Sequence, residues 1–108
     1  MERTISFGAR QKWSISIRRA GTGRYLSESI SRFLAEPKAG IIAVSAGFDR
    51  HEHDWGGLLT TEDYETIGRL VKEFAQKTCR SRRYGVLEGG YNHDVLGGNV
   101  VALLNGMD

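Results

Sequence analysis

Two short runs of apolar and small residues, separated by one amphipathic stretch, limit the folds open to this chain. The runs span Ile41–Ala46 and Tyr84–Glu88. Their length, their β-branched residues and the neighbouring glycines favour short buried strands. Between them one helical stripe is apolar: Tyr64, Ile67, Val71 and Phe74. Thr60 or Thr61 can cap this helix. Strand, helix and strand in this order predict a parallel sheet with a crossover helix.

The same alternation continues on both sides of this unit. Apolar residues at every second position, Trp13, Ile15 and Ile17, predict an earlier strand with one buried face. A helical stripe follows at residues 26–34, and a last helix is predicted over Asp94–Leu104. Residues 1–12 carry no clear pattern and are compatible with a poorly ordered start. We therefore predict one partial α/β domain over residues 1–108, with one parallel sheet flanked by helices.

Composition excludes several classes of protein. The 108 residues allow one small domain, and the net charge of +2 comes from scattered basic residues, so we expect no nucleic-acid partner. No stretch approaches the roughly 20 apolar residues of a membrane span, and no signal peptide is apparent. Cys79 is the single cysteine, which rules out an internal disulfide and fits a reducing compartment. We expect a cytoplasmic protein.

Candidate chemistry lies in two loops that follow the predicted strands. Ligands of open parallel sheets bind beyond the carboxyl ends of the strands. One such loop, residues 47–54, offers carboxylates and imidazoles, and the other, residues 89–93, offers two glycines beside a phenol. Asp49 is a candidate metal ligand because a rigid strand end fixes a side chain better than a loop tip does. The alternative is that Asp49 only caps a turn.

Two motifs in these loops resemble one known family. The first is Val44-Ser45-Ala46-Gly47-Phe48-Asp49, followed by Asp54, Leu58 and Thr60. The second is Val86-Leu87-Glu88-Gly89-Gly90-Tyr91-Asn92. In this order and at this distance they resemble the C-terminal third of the histone deacetylase and acetylpolyamine amidohydrolase family. A weaker likeness reaches back to Trp13, so that the resemblance covers residues 13–105.

The resemblance implies a fold, a cofactor and a set of site residues. The family fold is an arginase-like three-layer α/β/α domain with one parallel sheet, and family members use zinc to hydrolyse acetylated amines. Asp49 matches the last zinc ligand in chain order. Tyr91 matches the tyrosine that donates a hydrogen bond to the substrate carbonyl. Gly89 and Gly90 would keep that wall of the substrate pocket narrow. Both loops should meet at one edge of the sheet.

The resemblance also shows which catalytic residues the matched region lacks. The other zinc ligands of the family lie in an Asp-x-His segment, and its acid–base pair consists of two adjacent histidines. The histidines here are His51, His53 and His93, and none lies in that context. Zinc sites in proteins need three or four protein ligands. We therefore expect a truncated deacetylase that is inactive alone. The alternatives are one part of a split deacetylase or a non-catalytic assembly module.

Three further expectations concern partners and the first loop. Exposed sheet edges recruit other strands, so we expect a homo-oligomer or a complementing chain. His51 and His53 are interpreted as part of a solvated polar loop, with adventitious metal binding as the alternative. Asp54 is interpreted as a structural residue that ties this loop to backbone amides.

Overall fold

The computed structural model describes residues 4–7, 13–16 and 40–108 of the chain. These residues form four strands: β1 (Thr4–Phe7), β2 (Trp13–Ser16), β3 (Ile42–Gly47) and β4 (Arg83–Glu88). They also form two helices and one 3-10 turn: α1 (Thr61–Thr78), α2 (His93–Met107) and the turn Phe48–Arg50. The α/β class is confirmed. The helix predicted at residues 26–34 lies outside the described residues.

The sheet is mixed, because β1, a strand that the sequence did not predict, lies antiparallel between β2 and β3, whereas the three predicted strands run in the same direction. Its order is β2-β1-β3-β4. Among the described strands, only β3 and β4 pair in parallel, from Ile42 opposite Arg83 to Gly47 opposite Glu88. Strand β1 is antiparallel to both of its neighbours, β2 and β3. The sequence predicted no element in residues 1–12, where β1 lies. A short connection suffices for antiparallel neighbours such as β1 and β2, whereas a parallel pair needs a longer crossover.

Helix α1 is capped by Thr60, one of the two caps that the sequence predicts, and Thr60 and Asp63 form a capping box. The Thr60 side chain accepts a hydrogen bond from the Asp63 backbone N–H at 3.2 Å, and the Asp63 carboxylate accepts one from the Thr60 N–H at 2.8 Å. Two backbone donors that the helix leaves without partners are thereby satisfied. The helix buries Tyr64, whose hydroxyl donates to the Gly47 carbonyl at 3.0 Å. This bond ties the first turn of α1 to the end of β3.

The two helices cross in direct backbone contact. Gly68 of α1 faces the carbonyl oxygen of Leu103, and Gly106 of α2 faces that of Glu65, so closely that an added Cβ would overlap either oxygen. Both helices share one core with the β3 side chains Ile42, Val44 and Ala46. Helix α2 is longer than the predicted span Asp94–Leu104. No helix in the part of the chain described is long and apolar enough to cross a membrane.

Strand β4 is exposed, although its apolar sequence predicted burial. Tyr84, Val86 and Leu87 are 48%, 47% and 57% exposed. Strand β4 lies at the end of the strand order, so one of its edges has no neighbouring strand among the described residues. In β3, by contrast, Ile42, Val44 and Ala46 are buried and the residues between them are half-buried. The same kind of apolar run therefore forms a central strand in one place and an edge strand in the other.

Candidate functional site

The two loops with candidate chemistry leave the same edge of the sheet, as expected. Strands β3 and β4 end side by side, with Gly47 opposite Glu88. Asp49 lies in the 3-10 turn directly after β3 and is only 8% exposed. Tyr91 follows β4 by a few residues and is 55% exposed. A buried carboxylate and an accessible phenol thus lie at one end of the parallel pair.

Gly89 brings the end of β4 against the Asp49 carboxylate. Its φ of +66° lies in the left-handed region, which residues other than glycine rarely adopt. A Cβ added at Gly89 would lie 2.8 Å from Oδ1 of Asp49. Gly90 also has a positive φ, +94°, and an added Cβ there would press on Leu96 and Phe48. Both glycines, predicted to line a pocket, therefore allow a close approach between the two loops.

Asp54 joins the two loops through backbone hydrogen bonds, which confirms its predicted structural role. Its Oδ2 accepts from the N–H groups of Tyr91 and Asn92, both at 2.9 Å. Its Oδ1 accepts from the Trp55 N–H at 2.7 Å. A return bond runs from the Asn92 side-chain amide to the His53 carbonyl at 2.6 Å. The backbone at Tyr91 is thus held by the first loop.

The same bonds keep Asp54 ionised. Desolvation by itself would raise the pKa of Asp54, but the hydrogen bonds from the backbone N–H groups of Asn92, Trp55 and Tyr91 outweigh it. The result is a pKa below the ordinary value of an aspartate. Hydrogen bonds to the charged form have this effect because protonation would weaken each of them.

The Tyr91 ring stacks on Trp55. Their ring centroids lie 4.5 Å apart at an interplanar angle of 29°, and Trp55 is 74% exposed. Offset aromatic stacking contributes about 0.5–1.5 kcal/mol beyond the area it buries. The stack and the Asp54 bonds together fix the side chain and the backbone of Tyr91.

His51 is buried, which corrects its interpretation as part of a solvated loop. It is 4% exposed, and its Nδ1 accepts from the His53 N–H at 3.1 Å. The neutral ring therefore carries its proton on Nε2, which lies 3.3 Å from the Thr61 hydroxyl. That hydroxyl donates to the Asn99 side-chain oxygen at 2.8 Å. With both ring nitrogens engaged, His51 anchors the loop to α1 and α2 instead of offering a free metal ligand.

Asn99 is a structural residue that the sequence analysis missed. It is fully buried in α2 and is the acceptor that completes the His51–Thr61 chain. A signal was present, because Asn99 is a single amide within the apolar run of the last predicted helix. Buried polar side chains require a hydrogen-bonding partner, so such an amide indicates a polar contact inside the core.

The described residues do not make up a zinc site by themselves. No group of three or more His, Cys, Asp or Glu side chains in residues 40–108 lies close enough together to hold a metal ion. Asp49 offers one carboxylate at the sheet edge, whereas tetrahedral zinc needs at least three protein ligands. Any zinc bound at Asp49 would need ligands from outside the described residues.

We predict that Asp54 makes a measurable contribution to acid sensitivity. Its folded pKa lies below the unfolded value of about 3.9, so its stabilising effect is present above that pH and is lost as the pH falls through the folded pKa. The free energy of unfolding should fall between pH 5 and pH 2, and in Asp54→Asn the part of this fall that comes from Asp54 should disappear. The Asp108→Asn variant, which changes an exposed carboxylate, should show the same fall as the wild type. Equal pH profiles for both variants would contradict the prediction.

Comparison with known proteins places this architecture among the deacetylases. The family described as "Histone deacetylase domain" matches residues 9–107. "Type-2 histone deacetylase 2" of Dictyostelium discoideum is 38% identical over 79 residues, which are 68% of this chain and 5% of that protein. "Histone deacetylase 14, chloroplastic" of Arabidopsis thaliana is 40% identical over 65 residues, which are 58% of this chain and 15% of that protein. The chain thus spans a small part of these relatives, and its cytoplasmic location stays a prediction.

Proposed function

Since the chain belongs to the histone deacetylase domain family, we propose that it forms one wall of a zinc-dependent site that hydrolyses the acetyl-amide bond of an acetylated amine. One observation supports this proposal most strongly. The buried carboxylate of Asp49 and the exposed phenol of Tyr91 lie at the same end of β3 and β4, and Asp54 ties their loops together. A hydrolytic site needs such a fixed acidic ligand beside a hydrogen-bond donor.

Each of the two residues has a distinct proposed role. Bound zinc polarises an amide carbonyl and lowers the pKa of a water molecule. Asp49 would supply one ligand to such an ion. Tyr91 would donate its phenol proton in a hydrogen bond to the carbonyl oxygen as negative charge develops there, a contribution of about 10²–10³ in rate at comparable sites. The remaining zinc ligands and the acid–base groups would come from a polypeptide segment outside the described residues.

A second candidate function is a non-catalytic assembly module. The exposed apolar side chains of β4 favour it, because open apolar strands recruit partners. In this case the deacetylase-like site would be a remnant, and Asp49 and Tyr91 would affect neither zinc binding nor turnover in any assembly.

The test is reconstitution with a polypeptide that carries the Asp-x-His and His-His segments of a family member. We expect the mixture to hydrolyse an acetyl-lysine or acetylpolyamine substrate in a zinc-dependent manner. Tyr91→Phe should lower kcat by about 10²–10³ without loss of bound zinc, because only a hydroxyl is removed. Asp49→Asn should lower the amount of zinc retained after dialysis, measured by mass spectrometry.

Two variants serve as matched controls. Tyr84→Phe removes the hydroxyl of another exposed tyrosine, on β4, and should leave kcat unchanged. Asp108→Asn removes an exposed carboxylate at the far end of α2 and should leave zinc retention unchanged. Equal losses of kcat in Tyr84→Phe and Tyr91→Phe, or a reconstituted mixture with zinc but no turnover, would favour the assembly module.

A further inference from the structure

The outer edge of β4 has no neighbouring strand among the described residues and presents its backbone groups in a regular array. The Ile42 N–H donates to the Arg82 carbonyl at 3.1 Å across the parallel β3–β4 ladder. In a parallel pair, alternate residues direct both backbone groups to the neighbouring strand. The even-numbered residues of β4 therefore face β3, and the N–H and C=O groups of Arg83, Gly85 and Leu87 point to the open edge. An added strand would find donors and acceptors there.

The exposed side chains along this edge have a self-complementary order. Side chains of alternate residues share one face of a sheet. On the face of β4 opposite Gly85, which packs near Leu103 and Met107, the sequence places four exposed residues. In chain order they are Arg82, which directly precedes β4, and Tyr84, Val86 and Glu88 within it. The Arg82 Nε donates to the Cys79 carbonyl at 3.0 Å, so an ion pair with a second copy would use the terminal guanidinium nitrogens. A basic residue lies at one end, an acidic residue at the other, and two apolar residues lie between them. A second copy in antiparallel orientation would therefore place opposite charges together and apolar residues together.

We propose that two copies of this chain pair through β4, antiparallel, about a two-fold axis at Gly85. Gly85 would then lie opposite Gly85 of the second copy, Tyr84 opposite Val86, and Arg82 opposite Glu88. The four-stranded sheet of each copy would continue into that of the other. An interface of this kind is isologous, since both copies use the same surface.

The Arg82–Glu88 ion pairs favour this register of the two β4 strands over its neighbours. The backbone groups of Gly85 point outward, so Gly85 opposite Gly85 is a hydrogen-bonded pair, and Tyr84–Val86 and Arg82–Glu88 are the non-hydrogen-bonded pairs, in which side chains approach most closely. A shift of the register by one residue would turn the side chains of Tyr84 and Val86 in one copy to the opposite face of the sheet from those in the other copy. A shift by two would place Tyr84 opposite Glu88, or Arg82 opposite Val86. Either shift loses both ion pairs.

The middle of this edge carries no residue that keeps strands apart, since the charged residues of β4, Arg83 and Glu88, lie at its two ends. Natural edge strands are protected by lysine, proline or a bulge. Strand β4 contains neither lysine nor proline, and its six residues pair with β3 without interruption. Its apolar side chains Tyr84 and Val86 are about half exposed. Antiparallel pairing of two copies would cover both and would form an aromatic–β-branched contact twice.

A charge exchange tests the proposed dimer in the full chain. Sedimentation equilibrium should show a monomer–dimer equilibrium. Arg82→Glu alone or Glu88→Arg alone should raise the dimer Kd about tenfold or more, since each replaces two attractions with two repulsions across the axis. The double variant Arg82→Glu/Glu88→Arg should restore the Kd to within about threefold of wild type, because the exchanged charges again lie opposite each other.

Two further variants distinguish this edge from other surfaces. Glu65→Arg makes the same charge change at an exposed position of α1 and should leave the Kd unchanged. Val86→Lys should abolish the dimer while circular dichroism shows an unchanged fold. The proposal is overturned by a monomer at every concentration up to about 1 mM. It is equally overturned by a dimer that Arg82→Glu and Val86→Lys leave intact, or by a double variant no tighter than the single ones.

Discussion

The purified 108-residue chain should show no zinc-dependent hydrolysis of an acetyl-lysine or acetylpolyamine substrate. Its described residues contain no group of three metal-ligating side chains, and Asp49 alone cannot hold zinc with a position left open for water. The buried His51 has both ring nitrogens engaged and cannot serve as a general base in its present position. General acid–base assistance alone contributes about 10²–10⁴ in rate. We expect turnover at the buffer rate and less than one tightly bound zinc per chain.

The measurement compares the chain alone with the reconstituted mixture at equal zinc. Turnover by the chain alone that Asp49→Ala eliminates would contradict the prediction. It would mean that a complete site is assembled between subunits or with residues outside the described part of the chain. Turnover that persists in Asp49→Ala would instead indicate a contaminating hydrolase, so both proteins should be prepared in parallel.

The second large effect concerns the crossing of the two helices. Gly68→Ala should lower the free energy of unfolding by about 2–3 kcal/mol, because the new methyl group overlaps the Leu103 carbonyl and rigid backbone must move. Gly106→Ala should have a similar effect from the opposite helix, where the obstacle is the Glu65 carbonyl. In a domain of this size the melting temperature should fall by about 10 °C or more.

A matched control lies in α2 itself. Gly97 is exposed, and an added Cβ there would meet nothing within 4 Å. Gly97→Ala should therefore stabilise the protein by about 0.5–1 kcal/mol, since alanine loses less backbone entropy in a helix. Chemical denaturation of the three variants measures the free energy of unfolding, which should fall in Gly68→Ala and Gly106→Ala and rise in Gly97→Ala. If Gly68→Ala and Gly97→Ala shifted the stability in the same direction, the close helix crossing would be wrong.

Local patterns in the sequence predicted most of the elements that carry the site. The apolar run before Asp49 and the Thr60 cap with an acidic first turn specify β3 and α1 through their own residues. Two glycines after β4 indicated a tight turn, and the structure gives both of them a positive φ. Short-range chemistry determines all of these features, so a reading of neighbouring residues can find them.

Features that depend on distant contacts could not be predicted in this way. An apolar run such as residues 84–87 looks the same whether or not something covers it, and only the strand order shows that β4 is an edge. His51 lies in a polar stretch of sequence, yet it is buried, and its ring meets Thr61 of α1, which bonds in turn to Asn99 of α2. The place of β1 between β2 and β3 likewise arises from pairing across the chain.

The Asp54 bonds have a consequence for how this site could change during evolution. Asp54 holds residues 91 and 92 by their backbone N–H groups, which every amino acid except proline possesses. The location of the backbone at position 91 is therefore set independently of the side chain that it carries. Substitutions there could exchange a phenol for another donor or an apolar group on an unchanged backbone. Reaction chemistry at this sheet edge could thus diverge without any new loop conformation.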